Sequence, residues 1–191
     1  MKIIQHRINT TAQLKDVPVK YGIEVDLRAE NNDIILHHDP FCVGERIEDF
    51  LVHYKHDCLI LNTKVEGMEN RLIDLMRQFG ISDYFFLDLS LPFLVKTIKN
   101  GCQKVAVRFS KYEPLEFVSK FEGLAEWVWI DCFSSNILTY DAYEYLSRHF
   151  KICIVSPELQ GHPFEWINDF KVAFNSFKLD AVCTKKPELW K

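Results

Sequence analysis

Apolar runs of five to seven residues punctuate the chain, and most of them end on a charged or hydrogen-bonding side chain. They fall at residues 2–6, 22–28, 33–38, 58–62, 84–90, 104–110, 127–132, 151–156 and 180–184 and are rich in β-branched and aromatic residues, so each predicts a strand. The stretches between them predict helices at 10–20, 47–54, 67–79, 91–99, 113–121, 139–149 and 163–176. Within 67–79, Leu72, Leu75, Met76 and Phe79 recur at helical spacing and Gly80 stands where a C-cap belongs.

If 22–28 and 33–38 are one element, bent or paired at the AENND segment, eight main strands remain, each followed by a helix or a chain terminus. That alternation predicts the α/β class and a compact (β/α)8 TIM barrel formed by a single domain over residues 1–191. An open α/β sheet is the competing arrangement. In a barrel, His6, Arg7, Glu24, Asp26, His38, Asp39, Asn62, Lys64, Asp88, Arg108, Asp131, Glu158 and Lys185 all fall at or just beyond C-terminal strand ends, which converge on one mouth.

Composition narrows the partners. With 48% hydrophobic residues the chain buries a substantial core, and its formal net charge of −4 comes with dispersed rather than clustered lysines and arginines. A nucleic-acid backbone site is not expected, whereas one phosphate needs only a few cations. The opening MKIIQHR reaches charge too early for a secretory signal and no run spans a bilayer, so a cytoplasmic location without stable membrane insertion is expected. The six cysteines form no CxxC and most sit in apolar runs, which predicts reduced, packed thiols.

Candidate chemistry concentrates in the first third of the chain. Period-two alternation puts Glu24 and Asp26 on one face of GIEVDLR, where two carboxylates would hold a hard divalent cation or pair with Arg7, Arg28 or Arg108. His6 and His38 end two apolar runs and would take a proton from a hydroxyl and return one to a leaving oxygen. His37 must point away from His38, which Asp39 would orient. Arg7 offers a planar fork for a phosphoryl oxygen and Lys64 a point charge. Asp88 and Arg108 would finish the pocket wall, Glu158 would meet a polar head group, and Trp190 would either cover the mouth or anchor the terminus.

These residues, His6-Arg7, Glu24-Val25-Asp26 and His38-Asp39-Pro40, together with the closing DAVCTKKPELW, resemble the glycerophosphodiester phosphodiesterase family of the phosphatidylinositol-phospholipase-like barrel superfamily. The resemblance spans nearly the whole chain and is more specific in the N-terminal half. It implies metal-assisted cleavage of a phosphodiester, such as a glycerophosphodiester or phospholipid head group, by His6 and His38 as general acid and base. It further implies Arg7 stabilising the transition state and Mg2+ or Ca2+ held by Glu24, Asp26 and the residue at the E-x-K position.

That last position is Asn62, with Lys64 retained, so the family's third carboxylate is missing and metal binding should be weaker. Ile8 replaces the family's usual glycine, and the 39–58 interval is short where many relatives carry an insertion. Three alternatives follow: a noncatalytic barrel that binds a phosphorylated ligand, a lyase releasing a cyclic phosphate, and a divalent-metal isomerase or aldolase on a generic barrel.

Overall fold

The computed structural model describes residues 1–191. Ten strands follow one another along the chain: β1 (Lys2–Gln5), β2 (Gly22–Glu30), β3 (Asp33–Leu36), β4 (Glu45–Arg46), β5 (Leu59–Thr63), β6 (Tyr84–Leu87), β7 (Ala106–Phe109), β8 (Trp127–Ile130), β9 (Lys151–Val155) and β10 (Ala181–Thr184). Helices α1 (Thr11–Asp16), α2 (Ile47–Leu51), α3 (Glu69–Gln78), α4 (Leu91–Lys99), α5 (Leu115–Val118), α6 (Tyr140–His149) and α7 (Trp166–Ala173) alternate with them. The fold is mixed α/β, and every expected helix is present in shortened or equal form. The chain gathers into two compact units, residues 5–102 and residues 103–191 with 1–4.

In the unit of residues 5–102 the strand order is β4-β3-β2-β5-β6. β2, β5 and β6 run parallel, with Asp26 beside Asn62 and Asn62 beside Leu87. β3 turns back antiparallel on β2, Glu30 facing Asp33, so the AENND segment is a paired hairpin. Asn31 takes φ 52° in its turn, a left-handed conformation that asparagine tolerates. β2 is buried on both faces from Gly22 to Leu27, which separates the apolar Ile23, Val25 and Leu27 from Glu24 and Asp26 on the opposite side.

The helices of this unit begin and end where side chains allow. Thr10 caps α1 by accepting from the Gln13 backbone N–H at 3.1 Å. α3 buries Leu72, Leu75 and Met76 as a stripe and stops at Gly80, whose φ of 68° a side chain would strain.

In the other unit β7, β8, β9 and β10 are parallel neighbours and β1 lies beside β10, with α5 to α7 as crossovers. Parallel strands buried on both faces should read as continuous apolar runs, and WVWI and KICIV do. All six cysteines are free thiols, and Cys58, Cys132, Cys153 and Cys183 are buried, as expected. No helix is long and apolar enough to cross a membrane.

Candidate active site

Chain turns and the β2 register assemble the site in the unit of residues 5–102. Immediately after β1 the backbone reverses at Arg7, whose φ of 60° is left-handed and strained for a non-glycine residue. Glu24 holds that reversal in place: its Oε2 accepts from the Arg7 backbone N–H at 2.6 Å, and its carbonyl accepts from the Ile8 N–H at 2.9 Å. Asn9 then clamps the next acidic residue. Its Oδ1 accepts from the Asp26 N–H at 2.8 Å and its Nδ2 donates to Asp26 Oδ2 at 2.9 Å.

β5 delivers the third member. Asn62 Nδ2 donates to Glu24 Oε1 at 2.8 Å while its Oδ1 accepts from Lys64 Nζ at 2.7 Å, so the amide orientation is set by its two neighbours. Lys64 Nζ also stands 3.3 Å from Asp26 Oδ1 and 3.3 Å from Asp88 Oδ2. Asp88, just past β6, is a second left-handed residue, with φ 61°. Of the four non-glycine residues with positive φ, Arg7 and Asp88 thus both belong to this cluster, where strain is held by surrounding bonds.

The electrostatics are unbalanced in an informative way. Glu24 and Asp26 are fully buried. Burial, and then the neighbouring Asp26 charge, push the Glu24 carboxyl up to about 7, against the opposing bonds from Asn62 and Arg7. Arg7 Nε approaches Asp26 Oδ2 at 3.4 Å, yet Arg7 Nε and Asp26 Oδ1 are both buried without a hydrogen bond. Buried polar atoms left in this state mark a place for an ion or a substrate group.

Those atoms fit the divalent cation that the resemblance implies. Glu24, Asp26 and Asn62 offer oxygen donors, the Asp26 Oδ1 acceptor has no hydrogen bond, and the Glu24 carboxyl stays raised although the Lys64 charge opposes the shift. The cluster has two carboxylates rather than three, and no group of three histidine, cysteine or acidic ligands forms. The Asn62 oxygen is also engaged by Lys64, so a cation has to compete for it.

The histidines divide into two settings. His6 Nε2 lies 3.8 Å from Glu24 Oε2, with the ring mostly buried. His38, in the loop after β3, pairs through Nδ1 with Asp39 Oδ1 at 2.8 Å, and this bond holds the Asp39 carboxyl below its usual range. In the neutral imidazole this bond puts the proton on Nδ1 and the lone pair on Nε2. His37 also lies past the end of β3, and its Nδ1 accepts from the Asp39 N–H at 3.0 Å. Arg28 fixes the loop by donating to the His38 carbonyl from Nε at 2.9 Å and Nη2 at 2.7 Å.

The later candidates belong to the other unit. Arg108 is ion-paired with Asp131, to which Gln160 Nε2 also donates at 2.6 Å. Glu158 accepts from Thr184 Oγ1 at 2.6 Å and from the Lys185 N–H at 3.0 Å. Trp190 is buried and donates from its indole to Ser156 Oγ at 2.8 Å, the position of a terminal packing anchor. Arg28, expected as an ion-pair partner of the two carboxylates, instead holds the His38 loop, and Asn9 had not been expected at the site. An asparagine before a helix cap reads as turn chemistry.

No family model matches the sequence, and no curated protein matches it. Among solved structures the chain is similar to a glycerophosphodiester phosphodiesterase from Agrobacterium tumefaciens str. C58, with a TM-score of 0.69 over 100% of this chain and 97% of that one at 15% identity. It is also similar to a glycerophosphoryl diester phosphodiesterase from Parabacteroides distasonis, with a TM-score of 0.67 over 98% of this chain and 84% of that one at 13% identity. At such identities the likeness is one of fold, and it runs the full length of the chain.

Proposed function

We propose that the chain is a phosphodiesterase, cleaving a glycerophosphodiester or related head group on a (β/α)8 scaffold. The observation that carries this reading is the pair of buried, under-bonded atoms, Arg7 Nε and Asp26 Oδ1, set among two buried carboxylates and Lys64. A phosphoryl group and a cation together would satisfy both atoms. The fold shared with two phosphodiesterases supports the same reaction class.

Glu24, Asp26 and Asn62 would hold Mg2+ or Ca2+, which when bound neutralises charge on the non-bridging phosphoryl oxygens. Arg7 orients the phosphoryl group and spreads its charge over a fixed donor fork, pre-set by the left-handed backbone that Glu24 maintains. Lys64 adds a point charge on the side of Asp26 and Asp88. His38, with its Nδ1 proton held by Asp39, accepts at Nε2 the proton of the attacking hydroxyl, supplied by water or by the substrate's own neighbouring group. His6, beside Glu24, returns a proton to the leaving oxygen.

His6→Ala and His38→Ala should each lower turnover by at least ~100-fold while the far-UV circular dichroism stays native. Full activity in both variants would refute the assignment. Titration of metal-stripped protein with magnesium and then calcium should saturate in the wild type and not in Glu24→Ala. A second reading, a noncatalytic phospho-ligand binder, draws on Asn62, whose amide donates to Glu24 where the family's carboxylate would coordinate. Saturable binding of phosphodiesters with no product by phosphorus NMR would favour it, and the same spectra distinguish a cyclic phosphate from an opened one.

A further inference from the structure

The loop that carries His38 and Asp39 also carries two apolar side chains in water. Phe41 is fully exposed, at 105% of its reference area, and Val43 is 81% exposed. Phe41 also has φ 60°. A left-handed aromatic residue is strained, and with its ring in solvent no burial of the side chain offsets that strain.

The loop is not loose. At its start the His37 N–H donates to the Asp26 carbonyl at 3.0 Å, and Arg28 grips the His38 carbonyl through two nitrogens. At its end Gly44 lies so close to β3 that a Cβ there would meet the Leu36 carbonyl oxygen at 2.6 Å. The chain then continues into β4, where Glu45 pairs with Leu36 and its carboxylate accepts from the Thr11 N–H at 2.7 Å. Both ends therefore fix the loop backbone relative to Asp26 and His38, beside the proposed phosphate site.

We infer that Phe41 and Val43 form an apolar lip that selects phosphodiesters in which one alcohol carries an acyl chain. This rests on the phosphodiester reading of the site and deepens it. Arg7 and Lys64 supply the charge complement for the phosphate, and the lip supplies an apolar surface for the chain beside it. A single phenyl and a valine flanked by Asp39 and Glu45 are too little to anchor a protein on a bilayer, so the occupant is one amphiphilic molecule rather than a membrane surface.

The test compares two probes by calorimetric titration of the whole protein: a monoacyl glycerophosphodiester below its micelle threshold, and its deacylated counterpart with the same head group. Covering a phenyl ring is expected to make the acylated probe bind about 10- to 100-fold more tightly. Phe41→Asn, which suits a left-handed backbone and should keep or raise the melting temperature, is expected to collapse that ratio towards one, and Val43→Ser to reduce it. Equal affinities in the wild type, a ratio that survives Phe41→Asn, or binding only above the micelle threshold would each overturn the inference. Turnover measured on both probes scores the phosphodiesterase reading separately: no product from either would sink cleavage while the affinity ratio still decides the lip.

Discussion

Replacing Glu24 by glutamine should stabilise the metal-free protein at pH 8 and do so less as the pH falls. Burial and the Asp26 charge move the Glu24 carboxyl from 4.5 to about 7. At 1.36 kcal/mol for each tenfold change in proton affinity, ionising it in place costs the folded state about 3 kcal/mol. The sign follows from the raised value. The unfolded chain loses this proton near 4.5 and the folded chain near 7, so wild-type stability falls between those pH values and stays low above them. Glutamine removes the charge but also loses an acceptor. The Arg7 N–H at 2.6 Å and Asn62 Nδ2 at 2.8 Å both donate to Glu24, and one of them would face an amide N–H, returning about 1–2 kcal/mol of the gain. The net expectation is a gain of about 1–2 kcal/mol at pH 8, shrinking to zero or reversing by pH 5. Urea unfolding of both proteins in chelator at the two pH values measures it. A variant less stable than wild type at pH 8, or a difference that ignores pH, would show that Glu24 is not held ionised against its burial.

Asn62→Glu supplies the missing carboxylate and should raise calcium or magnesium affinity at least ~10-fold by titration calorimetry, while lowering the stability of the metal-free protein; unchanged affinity would place the cation elsewhere. Asn9→Ala removes both hydrogen bonds to Asp26 and leaves a buried carboxylate less satisfied, a loss of about 2–3 kcal/mol in chemical denaturation. Gly44→Ala sets a Cβ 2.6 Å from the Leu36 carbonyl oxygen, so the β3–β4 crossing must shift; a loss of about 2 kcal/mol or more is expected, with weakened turnover because His38 rides on the same loop.

The strands and helices were legible because hydrophobic periodicity is a local property, and burial acted on it as expected: β2 alternates carboxylate and aliphatic side chains, and α3 buries Leu72, Leu75 and Met76. β4 was not legible, since two residues carry no period and its pairing depends on Gly44 passing close to Leu36. The convergence of Glu24, Asp26, Asn62 and Lys64 followed from strand parity and parallel register, and the His38–Asp39 bond from adjacency in sequence. The roles of Asn9 and Arg28 depend on chain reversals that their own residue types do not announce.

What remained hidden is the part held against local preference. Arg7 adopts left-handed backbone that arginine does not favour, and Phe41 does the same while exposing its ring. No propensity marks such positions, because tertiary bonds impose them: Arg7 keeps its turn through a single strong acceptor, Glu24 Oε2, whose own ionisation burial resists. The same carboxylate thus supports the Arg7 backbone and carries the charge that a cation would balance. A glutamine there cannot relieve the electrostatic cost without giving up one of the two hydrogen bonds that Arg7 and Asn62 donate. The two effects are separable, since the charge contribution depends on pH and the loss of the hydrogen bond does not.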